Sequence, residues 1–168
     1  MIPFKLNELT SAPVAKLKAG EFFYFGGSHG PWDIGVVLKP LNDRPRIMSL
    51  TGEDSFRIKV SEFRSAGLGV VLPLKLDQTR IRLRIDPNGS AEVVQSDELK
   101  LGCVSISHDG PAGIRCAYID MPVERYRTVA LLSDWEVEPC EGRFFAAEKW
   151  AFTYLDDSNS WVDFFSNG

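Results

Sequence analysis

The chain holds two histidines, and they stand in matching settings: Ser28-His29-Gly30-Pro31 and Ser107-His108-Asp109-Gly110-Pro111. Imidazoles titrate near neutral pH and ligate metals. Brought together with Asp33, Asp109 or Cys103, His29 and His108 could therefore hold a divalent cation or act as acid and base. Neither histidine has a second ligand at a fixed helical or hairpin spacing. Ser-His ahead of Gly-Pro is also the chemistry of a strand entering a turn, where a hydroxyl or imidazole satisfies free backbone donors. The turn is our first reading; a small metal-dependent or acid–base enzyme using His29 and His108 is the alternative.

Other reactive groups give less. Cys103 and Cys116 lie in apolar strand patterns, GCVSI and IRCAYI, and read as core, whereas Cys140 in EVEPCEGR is expected at the surface. There Glu138 and Glu141 would raise a thiol pKa, the wrong direction for a nucleophile. GGSHG lacks a P-loop lysine and Rossmann spacing, and the chain has no HExxH, GxSxG, EF-hand or paired-carboxylate motif. No cofactor is expected, and the chain reads as a non-enzymatic protein.

Three features suggest binding. Arg80, Arg82 and Arg84 alternate along one strand face and could hold an anion or a phosphate backbone. The net charge of -4 and the missing aromatic stacking set argue against nucleic acid, so this is a second alternative. Aromatics crowd RFFAAEKWAFTY and WVDFF, and successive residues of a strand face opposite ways, so some are exposed or covered by a partner; a sheet buried on both sides explains them equally well. Phe144, Phe145, Trp150, Phe152 and Trp161 are the candidate protein interface, with Glu136 and Glu138 supplying acidic surface.

These groups must be positioned by strands. RIRLRI and SFRIKV alternate apolar and charged residues with period two, and most further apolar runs span four to eight residues between Gly, Pro, Asn or Asp. Strands are expected at 21–26, 33–39, 45–50, 55–60, 68–75, 80–85, 102–107, 113–119, 126–132, 147–155 and 160–165. DPNGS is expected to close a hairpin over 80–95. Helical signal is confined to single turns at 61–66 and 96–101. In strand pattern alone, GEFFYF, GVVL and RPRIMSL resemble the opening of a small SH3-like barrel.

The chain also repeats. Shifted by 79 residues it gives thirteen identities, among them Ile2/Ile81, Ala12/Ala91, His29/His108, Arg46/Arg125, Asp77/Asp156 and Gly89/Gly168, with Phe56 opposite Trp135. Average composition would give roughly five. The expectation is an all-β protein with little helix, an internally duplicated β unit with repeats at 1–79 and 80–158. These would form two barrel- or sandwich-like halves about a pseudo-two-fold axis, with 159–168 as a closing strand that covers an open edge.

Residues 1–79 carry 10 basic and 8 acidic side chains, whereas 80–168 carry 9 and 15. At aligned positions Arg57 and Lys59 give way to Glu136 and Glu138. Complementary fields of this kind would let the halves, or two subunits head to tail in a homo-oligomer, face each other. The start MIPFKLNELT has no basic segment followed by an apolar run, and no stretch approaches the roughly 20 apolar residues of a membrane span. Three unpaired-looking cysteines suggest a reducing compartment. The expected protein is cytoplasmic and soluble, without a membrane partner, and it binds another protein as an inhibitor or immunity-type factor would.

Overall fold

The computed structural model describes residues 9–26, 32–60, 70–89, 91–122 and 127–168. Of these, 51% are strand and 4% helix, so the protein is all-β. The strands are β1 (Ala12–Pro13), β2 (Phe22–Phe25), β3 (Asp33–Leu41), β4 (Arg44–Ser49), β5 (Arg57–Val60), β6 (Val70–Pro73), β7 (Ile81–Ile85), β8 (Ala91–Gln95), β9 (Val104–Ile106), β10 (Gly113–Tyr118), β11 (Thr128–Leu131), β12 (Val137–Pro139), β13 (Arg143–Ala147), β14 (Trp150–Leu155) and β15 (Trp161–Asn167). Twelve form one sheet, and β7, β14 and β15 form a second. The arrangement is sandwich-like and no closed barrel forms, which corrects the barrel alternative and the SH3-like comparison. Among the described residues no helix is long and apolar enough to cross a membrane.

Local chemistry explains the joints. The β3–β4 hairpin turns on Asn42 and Asp43, with φ of 49° and 61°, the two left-handed positions that a two-residue hairpin loop requires. Pro40, which has no N–H to give a ladder, sits where the β3–β4 register shifts. In β7 the alternation turns Ile81, Leu83 and Ile85 to the core and leaves Arg82 and Arg84 exposed.

Two expectations about connectivity are overturned. Residues 80–95 do not make a hairpin: β7 pairs with β14 and β8 pairs with β13, in different sheets. Asp86-Pro87-Asn88-Gly89 still turns, with the Asp86 carboxylate accepting from Asn88 N–H and its carbonyl from Gly89 N–H, but the turn passes the chain between sheets. Likewise 147–155 is not one strand, because the chain leaves β13 at Ala147 and enters β14 at Trp150. The two crossings are tied by Asp86 N–H donating to the Lys149 carbonyl at 3.0 Å. An apolar β7 can bury its face only against the core side of the large sheet, which overrides the local hairpin signal. The 96–101 segment forms turns rather than helix, and 61–66 lies outside the described residues.

The strand order repeats. From its edge inward the first half runs β1-β6-β2-β3-β4-β5, and the second runs β8-β13-β9-β10-β11-β12. At the junction the two halves exchange equivalent contacts. Ala117 N–H, in β10, donates to the Phe56 carbonyl at 3.2 Å, and Lys39 N–H, in β3, donates to the Trp135 carbonyl at 2.9 Å. Phe56 and Trp135 both hold positive φ, 60° and 61°, a conformation that bulky residues rarely adopt and that turns each carbonyl toward the other half. Each ring then covers a glycine of the opposite half, Phe56 on Gly102 and Trp135 on Gly20, whose φ values are 82° and 88°. A Cβ on either glycine would overlap the ring.

The core lies between the sheets and draws on both halves. Phe22, Phe56, Trp135, Trp150, Phe152, Phe164 and Phe165 are all buried there. Ring centroids of Phe22 and Phe152 are 5.1 Å apart, and those of Trp150 and Phe165 5.2 Å, with inclined planes that suit the ring quadrupoles. β15 delivers Phe164 and Phe165 to this core by pairing with β14, opposite β7. The outer face of each half carries a smaller cluster: Val14, Phe23, Val37, Ile47 and Val71 on the first, and Val94, Leu99, Cys103, Val129, Cys140 and Ala146 on the second.

Candidate functional site

A concavity of about 450 Å³ lies on the outer face of the second half. β9 and the loop after it supply Ser105, Ser107, Gly110 and Pro111, β11 supplies Val129 and Leu131, and β13 supplies Phe144. β12 and the turn beyond it contribute Glu138, Pro139 and Glu141. Period-two alternation puts Ser105, Ser107 and Phe144 on this side, because Val104 and Ile106 turn to the central core. The floor is apolar and Ser105 is tied down, its Oγ donating to the Gly113 carbonyl at 3.2 Å. Along one rim stand Glu138 and Glu141, both exposed and, among the described residues, in no ion pair. The other rim leads into the His108 loop. Such a groove can seat an apolar side chain while its carboxylates attract a neighbouring cation.

The predicted interface residues are not all brought together here. Phe144 and Glu138 line the groove. Phe145 projects from the opposite face, 43% exposed, across from the exposed Val93 of β8. Trp150 and Phe152, at 2% and 3% exposure, are core residues, so their place in the expected interface is corrected. They fill the space between the sheets, and Trp150 Nε1 donates to the Gly102 carbonyl at 2.8 Å. Trp161 is exposed but covered on one side by Arg82, whose Cζ lies 4.0 Å from the ring centroid. Glu136 accepts from Lys39 Nζ at 2.7 Å, an acidic group of the second half meeting a basic group of the first, which holds that ammonium above its ordinary pKa.

The arginine row is engaged within the chain. Arg80 donates to the Asp156 carbonyl at 2.5 Å and lies 3.5 Å from Asp157, Arg84 pairs with Asp163, and Arg82 covers Trp161. Arg80 borders a second hollow of about 340 Å³ with Lys75, Asp77, Tyr154, Asp156 and Asp157, where both signs of charge meet. Asp77 and Asp156 each fold their carboxylate back onto a turn, Asp77 onto Thr79 and Asp156 onto Ser158, and these bonds hold both acids below their ordinary pKa.

His29 lies outside the described residues. His108 is exposed, with Nδ1 2.6 Å from Asp109 Oδ1. Among the described residues no three His, Cys, Asp or Glu side chains cluster as metal ligands. Cys140 is buried, not exposed as its acidic neighbours suggested; desolvation raises its pKa, against a lowering pull from Arg115 and Arg127. Cys103 and Cys116 are buried as expected, and burial pushes the Cys116 thiol up to about 12. None of the three is poised as a nucleophile.

Compared with protein-family models, curated proteins and solved structures, the chain matches none. Its site is therefore read from its own geometry. Sequence reasoning missed Ser105, Ser107 and Glu141 as groove residues. It also missed Arg115, which is buried beside the groove floor and donates through Nη1 to the carbonyls of Cys116 and, at 3.4 Å, Thr128. Desolvation lowers the pKa of that guanidinium. No motif marks these residues, because the groove is assembled from four strands and two connecting segments.

Proposed function

We propose that this is a non-enzymatic binding protein that engages a protein partner through the groove on its second half, in the manner of an inhibitor or immunity-type factor. The observation that carries the reading is one lining: an apolar floor of Val129, Leu131 and Phe144 beside Glu138 and Glu141, exposed carboxylates that form no ion pair among the described residues. The partner's contribution is then a segment with an apolar anchor and positive charge. The acidic balance of residues 80–168 adds a long-range field that draws such a segment in. The buried, unpaired cysteines fit a reducing, cytoplasmic setting.

A displayed random-peptide library panned on the purified chain tests this. The expected selection is enriched in Lys or Arg next to apolar residues, and its binders lose affinity on Phe144→Ala and on Glu138→Lys with Glu141→Lys. Salt should weaken them, because the charges at the rim are exposed. A selection indifferent to both variants would remove the groove from the function.

A further inference from the structure

The two outer faces differ in a way that says what the groove takes. In the first half Phe23 pairs with Gly35, and in the second Ser105 pairs with Gly113. Flanking pairs keep step, Phe22 opposite Val36 and Val104 opposite Ile114, and so do Ile47 and Val129 across the next strand. Ser105 thus occupies the place of Phe23, and two residues on, Ser107 occupies the place of Phe25. In the first half these rings, with centroids 5.7 Å apart, lie on Gly35, whose missing Cβ would stand 2.5 Å from Phe23 Cζ. Phe23 is fully buried. The second half has a glycine at the matching ladder position but serines in place of both rings, and these two serines line the groove.

Resting on the reading that this groove binds a protein partner, we propose that its occupant is an aromatic side chain of that partner, next to a lysine or arginine. The ring enters beside Ser105 and Ser107, at the positions where the first half places its own phenylalanines, against Val129, Leu131 and Phe144. The cation meets Glu138 and Glu141. Phe23 and Phe25 serve as an internal template for the ligand, and the exposed carboxylates supply the charge complement.

The test uses three probes on the full 15N-labelled chain, followed by amide shifts: N-acetyl-Arg-Phe-Arg-amide, its Phe→Ala form, and N-acetyl-Glu-Phe-Glu-amide. Arg-Phe-Arg is expected to shift Ser107, Gly110, Gly113 and Phe144 saturably. Burying a ring is worth enough that the alanine probe should bind about ten- to hundredfold more weakly. The acidic probe should be weaker as well. Ser105→Phe with Ser107→Phe, which refills the groove on a glycine seat already present, should keep the fold and abolish the shifts; Ser107→Phe alone repeats the measurement at the rim if the double variant does not fold.

Equal binding of the Phe and Ala probes, or undiminished binding by the refilled groove, overturns the proposal. If library peptides bind through Phe144 without aromatic preference, this proposal falls while the broader reading stands; if no library peptide depends on Phe144, the broader reading falls too. Shifts at the same residues on concentrating the protein alone would make a second copy the occupant and overturn the assignment to a partner's side chain.

Discussion

Replacing Gly102 with alanine tests the exchange of rings between the halves. Its φ of 82° costs an L-residue about 1–2 kcal/mol. The new Cβ would stand 2.5 Å from Phe56 Cδ2 and 3.0 Å from Cζ. That ring has little room to move, since it is 6% exposed and packed near Trp150 and Phe165. Overpacking of this kind adds about 1–3 kcal/mol. The total of about 2–5 kcal/mol corresponds to a fall in Tm of roughly 4–20 °C for a chain of this size. Gly142→Ala is the internal reference: φ is 94°, but nothing lies within 4 Å of the added Cβ, so only the backbone cost applies. Urea denaturation of both variants gives the excess for Gly102 directly. In a Phe56→Leu background that excess should shrink, as a coupling between touching groups must. If Gly102→Ala costs no more than Gly142→Ala, or if the excess ignores Phe56, the interlocking of the two halves is wrong as described.

Other expectations follow from the same contacts. Trp150→Phe removes the indole donor from the Gly102 carbonyl, but Asn167 Nδ2 also donates there at 3.2 Å, so the hydrogen-bond loss should be near 1 kcal/mol, and with the space left by the smaller ring the total by urea denaturation about 2–4 kcal/mol. Glu136→Gln weakens an exposed pair with Lys39 and should leave Tm unchanged within error. All three thiols should resist Ellman's reagent in the folded chain at pH 8 and react once urea unfolds it, since burial raises each pKa. Cys116, at about 12 folded against an ordinary 9.0, stays protonated while the unfolded thiol ionises. Its contribution is thus complete below pH 9 and is lost as pH rises from 9 to 12, so Cys116→Ala should make the alkaline decline in stability shallower.

The strands themselves were legible where alternation was strong. RIRLRI reads as a strand with Ile81, Leu83 and Ile85 inward, and so it is. What failed were the partners. DPNGS carries hairpin chemistry, and AEKW has no glycine or proline to announce a break, yet both are places where the chain changes sheets. That decision lies with the core: Trp150 opposite Ile85 and Phe152 opposite Leu83 bury more apolar surface than a local β7–β8 pairing could, since β8 buries only Val94. For the same reason the pattern leaves Trp150 and Phe152 open either to a partner or to burial on both sides, because a run of aromatics does not tell which sheet covers its second face.

The groove was hidden by register. A uniform shift of 79 residues sets Phe23 against Gly102 and Phe25 against Val104, whereas the strand pairing sets them against Ser105 and Ser107. The contacts show why one shift cannot serve: Gly20 corresponds to Gly102, Val37 to Arg115 and Phe56 to Trp135, three different separations, as the loops between these strands differ in length. Shifting a strand by one residue exchanges its inner and outer faces, so a misaligned comparison matches core positions with surface ones. The exchange of Phe23 and Phe25 for two serines leaves composition and alternation nearly untouched. It becomes visible only when Gly35 and Gly113 are seen to hold matching ladder positions, one paired with Phe23 and the other with Ser105.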